Sequence, residues 1–170
     1  MNAKGVVFLS LIALLAASCG KETPPLPKVP QGGETVRLVV FGAEWCGECK
    51  ADLPILQTAL KARLGAAISR VNVELWVPTG KTPATPPTQA GADSYLKVVT
   101  LEGKAFPDGD PNKKPPRWPL FTELFPGVQK ALPAAALYKA NGEIYKRFAP
   151  GADSFHPADI VATVAEAVGN

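Results

Sequence analysis

The feature that most constrains this chain is where its two closely spaced cysteines fall. Cys46-Gly47-Glu48-Cys49 lies between an apolar run, Val36 and Leu38 to Phe41, that ends at Gly42, and a segment in which Leu53, Leu56, Leu60 and Leu64 recur at helical spacing. The run is short and β-branched, which suits a strand buried on both faces. The later segment, with Lys50, Asp52, Gln57 and Lys61 interspersed, suits a helix from Cys49 to about Leu64. Two thiols where a strand hands over to a helix can close a disulfide across one turn, and that geometry favours reversible oxidation. At the helix amino terminus, unpaired amides and the helix dipole stabilise a Cys46 thiolate and lower its pKa from about 8.5. Cys49, one turn in, is expected to be buried and slower. Cys46 is therefore the candidate nucleophile on a substrate disulfide, and Cys49 the thiol that resolves the mixed disulfide by attacking the Cys46 sulfur. Run backwards, the pair oxidises a substrate dithiol.

Other uses of the two cysteines fit less well. A zinc site takes about four ligands, and beyond the pair the chain offers only Cys19 and the single His156, so no metal is expected. Haem attachment needs a histidine directly after the second cysteine, and that residue is Lys50. No cofactor is expected. A purely structural disulfide stays open for a chain in an oxidising compartment.

The remaining elements are read from periodicity and turn chemistry. Ile68, Val71, Val73 and Leu75 give a second strand. Residues 78 to about 127 are rich in proline, with short helices expected around Ala92 to Leu101 and Leu120 to Phe125. Ala134 to Tyr138 and Glu143 to Phe148 flank Asn141-Gly142, a pair that favours a hairpin. Pro157 suits a first helical turn, Asp159 the positive end of the dipole, and Ile160, Val161, Val164 and Val168 make one apolar stripe. Strand, helix, strand, a long excursion, hairpin and helix predict an α/β fold with a mixed sheet. With 170 residues, 46% of them hydrophobic, the chain can bury one core, so a single globular domain is expected.

Several of these residues resemble the thioredoxin superfamily. Phe41-Gly42-Ala43-Glu44-Trp45-Cys46-Gly47-Glu48-Cys49-Lys50, with Pro54 five places after the second cysteine, is similar to the thioredoxin active-site segment. The resemblance also gives a reason for Pro54, a residue that otherwise breaks or kinks a helix. Ala131-Leu132-Pro133, followed by Ala134 to Lys139, Asn141-Gly142-Glu143 and Gly151, resembles the stretch in which a cis-proline faces the cysteines. On that resemblance Pro133 is the cis-proline, Leu132 and Pro133 flank a bound peptide, and Trp45 shields the sulfur, although Trp45 also reads simply as a packing aromatic. Trp76 and Trp118 read as packing residues, and His156 as a surface residue. The implied fold is thioredoxin-like over residues 34–170, a mixed sheet flanked by helices with a Pro-rich insertion at about 78–127. An export signal combined with an insertion resembles the TlpA-like periplasmic reductases.

The sequence departs from the thioredoxin pattern in ways that bear on function. The position of the family's buried aspartate, which assists proton transfer at the resolving cysteine, is Val40, so no general base can be named. The usual proline between the cysteines is Glu48. A carboxylate close to Cys46 disfavours its thiolate, and a stabilised thiolate is what makes such a pair oxidising, so Glu48 is expected to tune the pair toward reduction. The long excursion is either the seat of partner choice or a surface elaboration.

The start of the chain reads as an export signal. Met1-Asn2-Ala3-Lys4 carries one positive charge, Val6 to Leu15 is almost wholly apolar, and Ala16-Ala17-Ser18 precede Cys19. A spanning helix needs about 20 apolar residues, whereas this run breaks into Gly20-Lys21-Glu22. The arrangement resembles a bacterial lipobox, with residues 1–18 removed and Cys19 lipidated; it departs in having Ala16 where the family has leucine, with Leu15 one place back. A plain signal peptide cut near Ala17, or an uncleaved anchor, stays open. Residues 19–33, with Pro24, Pro25, Pro27 and Pro30, suit a semi-stiff spacer or a tail without a role. The formal net charge of +3 without a basic run implies neither nucleic acid nor an anionic membrane surface as partner. The expected partners are proteins bearing disulfides or dithiols, an electron donor, and a membrane reached through lipid on Cys19. The expected place is the periplasmic side of the cell envelope. Two functions follow: a thiol-disulfide oxidoreductase, most simply a disulfide reductase, or a tethered binding and assembly module with little turnover.

Overall fold

The computed structural model describes residues 35–78, 88–109, 118–148 and 155–169. The expected export signal, Cys19, the spacer and Gly151 lie outside them. The chain runs β1 (Val36–Phe41), α1 (Gly47–Leu64), a short 3-10 helix (Gly65–Arg70), β2 (Val71–Pro78) and α2 (Gln89–Val98). It continues through β3 (Lys104–Asp108), α3 (Pro119–Leu124), β4 (Ala134–Tyr138), β5 (Ile144–Phe148) and α4 (Pro157–Ala167).

Five strands form one sheet in the order β3-β2-β1-β4-β5. β1 pairs parallel with β2, β2 parallel with β3, and β1–β4 and β4–β5 are antiparallel, so the sheet is mixed. The uninterrupted apolar run of β1 has its cause here, since the strand is central and all six of its residues are buried. Its alternate side chains serve two faces. Leu38 and Val40 share a face with Leu75, and the close approach of Leu53 and Leu75 to Gly42 places α1 on that side. α4 packs against α1. Arg37, Val39 and Phe41 point to the opposite face, where Phe41 meets Phe121 and Phe125 edge-on at 5.3 and 6.1 Å between ring centres.

Arg37 is charged yet buried, and its cross-strand environment explains how. Its Nε and Nη2 donate to the two carboxylate oxygens of Glu74 on β2, both at 2.7 Å. Trp76 Nε1 donates to the same carboxylate at 3.0 Å, and the guanidinium lies 5.0 Å over the Tyr138 ring on β4. A bidentate pair with both partners further engaged is the form in which a buried charge is tolerated.

Two local readings differ from the sequence expectation. The second strand begins at Val71, because Ile68 lies in the 3-10 helix that starts at the positive-φ Gly65 after α1. The proline-rich excursion carries a strand as well as helices. β3 docks parallel on β2 at the sheet edge, with Trp76 stacked on Phe106 at 4.9 Å. Pro107 sits within it, which an edge strand tolerates because its outer amides have no ladder to join. Gly103 makes the docking possible, since a Cβ at that residue would lie 2.1 Å from the Val73 carbonyl oxygen. α2 is tied to this edge by Gln89 Nε2 donating to the Ala105 carbonyl at 2.7 Å.

Candidate redox site

The site forms where β1 ends and α1 begins. After Phe41 the chain passes Gly42, where a Cβ would lie 2.9 Å from the end of the Leu53 side chain, so the glycine lets the strand end lie close against α1 without displacing it. Gly42 N–H still donates to the Trp76 carbonyl at 3.2 Å, and Cys46 N–H to the Ala43 carbonyl at 3.0 Å, closing a turn that delivers Cys46 to the helix start. Cys46 is the N-cap of α1, with φ −92° and ψ 109°, and its Sγ accepts the backbone N–H of Cys49 at 3.1 Å. The sulfur thus takes the place of the side-chain oxygen that usually caps a helix.

Cys46 and Cys49 form a disulfide, with Sγ–Sγ at 2.07 Å and Cα–Cα at 5.3 Å. Cys49 is fully buried and Cys46 is 5% exposed. Among the neighbours, Trp45 stands out at 41% exposed, while Glu48 is exposed in the first turn of α1. The Leu132–Pro133 peptide bond is cis. Because Ala134 pairs with Phe41, Pro133 lies level with the strand end from which the cysteine turn departs, and Leu132 and Pro133 are both buried there. Pro54 lies inside α1, which continues through it from Gly47 to Leu64. Val40 is fully buried on β1.

Further residues gather at this end of the sheet that sequence reasoning did not assign to the site. Trp118, just before α3, is 8% exposed, and its ring centre is 6.1 Å from that of Trp45 and 5.3 Å from that of Phe121. Lys130 Nζ lies 5.8 Å over the Trp118 ring, two residues before Leu132. Asp108, at the end of β3, is 1% exposed, and its two carboxylate oxygens accept the N–H groups of Leu120 and Phe121 at 3.0 and 3.2 Å. Burial pushes its carboxyl up to about 6, with the two amides and Lys130 pulling the other way. The Tyr95 hydroxyl is buried close to Gly42, and burial, with Glu44 adding, pushes it above the ordinary phenol range. Nothing in the local sequence announces the Asp108 contacts, because the carboxylate caps a helix that begins eleven residues later. Among the described residues there is no cluster of histidine, cysteine or acidic side chains that could hold a metal ion, and no helix long and apolar enough to cross a membrane.

No family model matches the chain, and comparison with curated proteins finds no match. Solved structures do match. A secreted Mycobacterium tuberculosis disulfide oxidoreductase homologous to E. coli DsbE superposes with a TM-score of 0.52 at 15% identity, over 78% of this chain and 81% of that one. StoA from Bacillus subtilis gives 0.50 at 18% identity, over 78% and 84%. A thiol:disulfide interchange protein from Bacteroides sp. gives 0.51 at 14% identity, over 81% and 75%. With its mixed five-stranded sheet flanked by helices and a Cys46–Cys49 disulfide at the head of α1, the chain has the thioredoxin-like fold of the thiol:disulfide oxidoreductases.

Proposed function

We propose that the chain is an extracytoplasmic thiol-disulfide oxidoreductase, working as a disulfide reductase on envelope proteins through Cys46 and Cys49. The observation that carries this reading is the disulfide at the α1 terminus, with Cys46 Sγ accepting the Cys49 N–H at 3.1 Å. The same amide, together with the dipole, stabilises negative charge on Cys46 once the pair is reduced. In the reduced protein the Cys46 thiolate attacks one sulfur of a substrate disulfide, forming a Cys46–substrate bond and releasing the other sulfur as a thiolate, which takes up a proton. Cys49, having lost its proton, then attacks Cys46 Sγ. The Cys46–Cys49 bond forms, the second substrate thiol leaves, and two electrons have passed to the substrate. A dithiol donor restores the starting state. The exposed Trp45 is the surface offered to the substrate beside the sulfur, with the Leu132–Pro133 peptide expected to flank the bound chain.

The extracytoplasmic placement rests on the apolar Val6 to Leu15 segment before Cys19, and on the description of one fold neighbour as secreted. Lipid on Cys19 would tether the protein to a membrane, each buried methylene contributing about 0.8 kcal/mol. The excursion between β2 and β4 is the segment that sets partner choice in this reading. The 5% exposure of Cys46 favours a second reading, a tethered binding or assembly module with little turnover.

Trapping separates the two. In cells, Cys49→Ser is expected to accumulate mixed disulfides between Cys46 and envelope proteins, visible as dithiothreitol-sensitive adducts on nonreducing gels, and Cys46→Ser/Cys49→Ser to accumulate none. Equal adducts in both variants, or none in either, would refute the oxidoreductase reading.

A further inference from the structure

We propose that Asp108 is a positioning residue for the redox site, acting through α3 and Trp118 on Trp45; the inference deepens the oxidoreductase reading and rests on it. α3 has six residues, too few to be stable alone. Its first turn is nonetheless fully accounted for. Pro119 has no N–H to satisfy, Leu120 and Phe121 donate to the two oxygens of Asp108, and Thr122 donates to the Trp118 carbonyl at 2.9 Å. Trp118 is the N-cap residue and its side chain caps nothing, so the cap comes from β3. A carboxylate 1% exposed would be costly without such partners, and the helix end would leave orphan amides without the carboxylate.

What α3 holds is the aromatic wall of the site. Phe121 is wedged edge-on between Phe41 of β1 and Trp118, at 5.3 Å from each. Trp118 in turn backs Trp45, at 6.1 Å and 39° between ring planes. Lys130 connects the same parts from the cis-proline side, with its ammonium over the Trp118 ring and its charge attracting the Asp108 carboxylate. Trp118 is nearly covered, so a substrate meets this assembly through Trp45, the exposed ring next to Cys46. Losing one of the two Asp108 acceptor oxygens leaves an α3 amide without its partner, and loosens the first turn of α3 and the surface on which Trp45 leans. The consequence is weaker docking of a protein substrate, with the sulfur chemistry at Cys46 and Cys49 left in place.

Steady-state reduction of insulin by the full chain, recycled with dithiothreitol, tests this. Asp108→Asn keeps the shape but leaves one acceptor oxygen for the two amides. It is expected to raise KM for insulin about tenfold, the worth of one buried hydrogen bond, while kcat moves less than about twofold. Trp118→Ala is expected to do the same, and the double variant to add nothing further, because both act through one contact. If Trp118→Ala does not fold, Trp118→Phe closes the cycle. An Asp108→Asn protein with the KM of the wild type, or one whose effect multiplies with that of Trp118→Ala, overturns the proposal. A wild-type protein that reduces no insulin sinks the redox reading instead. Tryptophan emission then decides the positioning claim: a shift in Asp108→Asn that vanishes in the Trp45→Phe background upholds it, and a shift that persists there, or unchanged emission, overturns it.

Discussion

At the scale of single residues, two carboxylates have opposite surroundings and opposite consequences. Glu48 is exposed in the first turn of α1, two residues from the Cys46 sulfur. A carboxylate at this position is expected to oppose a thiolate, so Glu48→Pro should make the reduction potential less negative by on the order of 30 mV, measured against glutathione. An unchanged or more negative value contradicts that role. Asp108 is buried, and its carboxyl is raised to about 6 from 3.8. Between these values the folded protein binds more protons than the unfolded chain. The Asp108 contribution to stability is therefore greatest at low pH, falls as pH rises from about 4 to 6, and is constant above that. Relative to Asp108→Asn, the wild type should lose on the order of 2 kcal/mol of unfolding free energy between pH 4 and pH 7. Parallel pH profiles in urea melts would show that this carboxyl is not raised.

At the scale of elements, legibility followed how local the signal was. β1, α1, the β4–β5 hairpin and α4 announce themselves through a continuous apolar run, a helical leucine repeat, Asn141-Gly142 and Pro157 before an apolar stripe. Each is fixed by residues within one element. β3 was not legible. Its Lys-Ala-Phe-Pro-Asp has a proline and charges at both ends, and it becomes a strand only through Gly103 and the edge of β2. The same division runs through the site. The cysteine pair declares its chemistry by spacing, whereas the cis Leu132–Pro133 bond is legible only through a resemblance, and the Asp108 cap joins residues in different elements. The Gly103 approach gives a direct check. Gly103→Ala forces a Cβ against the Val73 carbonyl and should cost about 3 kcal/mol, read as a lower urea midpoint, whereas a loss below about 1 kcal/mol would mean that β3 can move off β2.

At the scale of the whole molecule, the parallel strands β1, β2 and β3 end at the same side of the sheet, and each contributes to the site there. β1 delivers the cysteine turn, β2 receives Gly42, and β3 carries the carboxylate that secures α3. β4 runs the other way, so the cis-proline at its start meets them. Through this convergence the excursion, which carries no sulfur, reaches the end of the sheet where the cysteines lie. The most direct test of the account is the reduction potential of the Cys46–Cys49 pair in the full chain, equilibrated in dithiothreitol or glutathione buffers with Trp45 fluorescence as readout. The account predicts a value near or below about −230 mV, that of a reductase fed by a donor. A value near about −120 mV, or a pair that stays oxidised throughout that range, contradicts it.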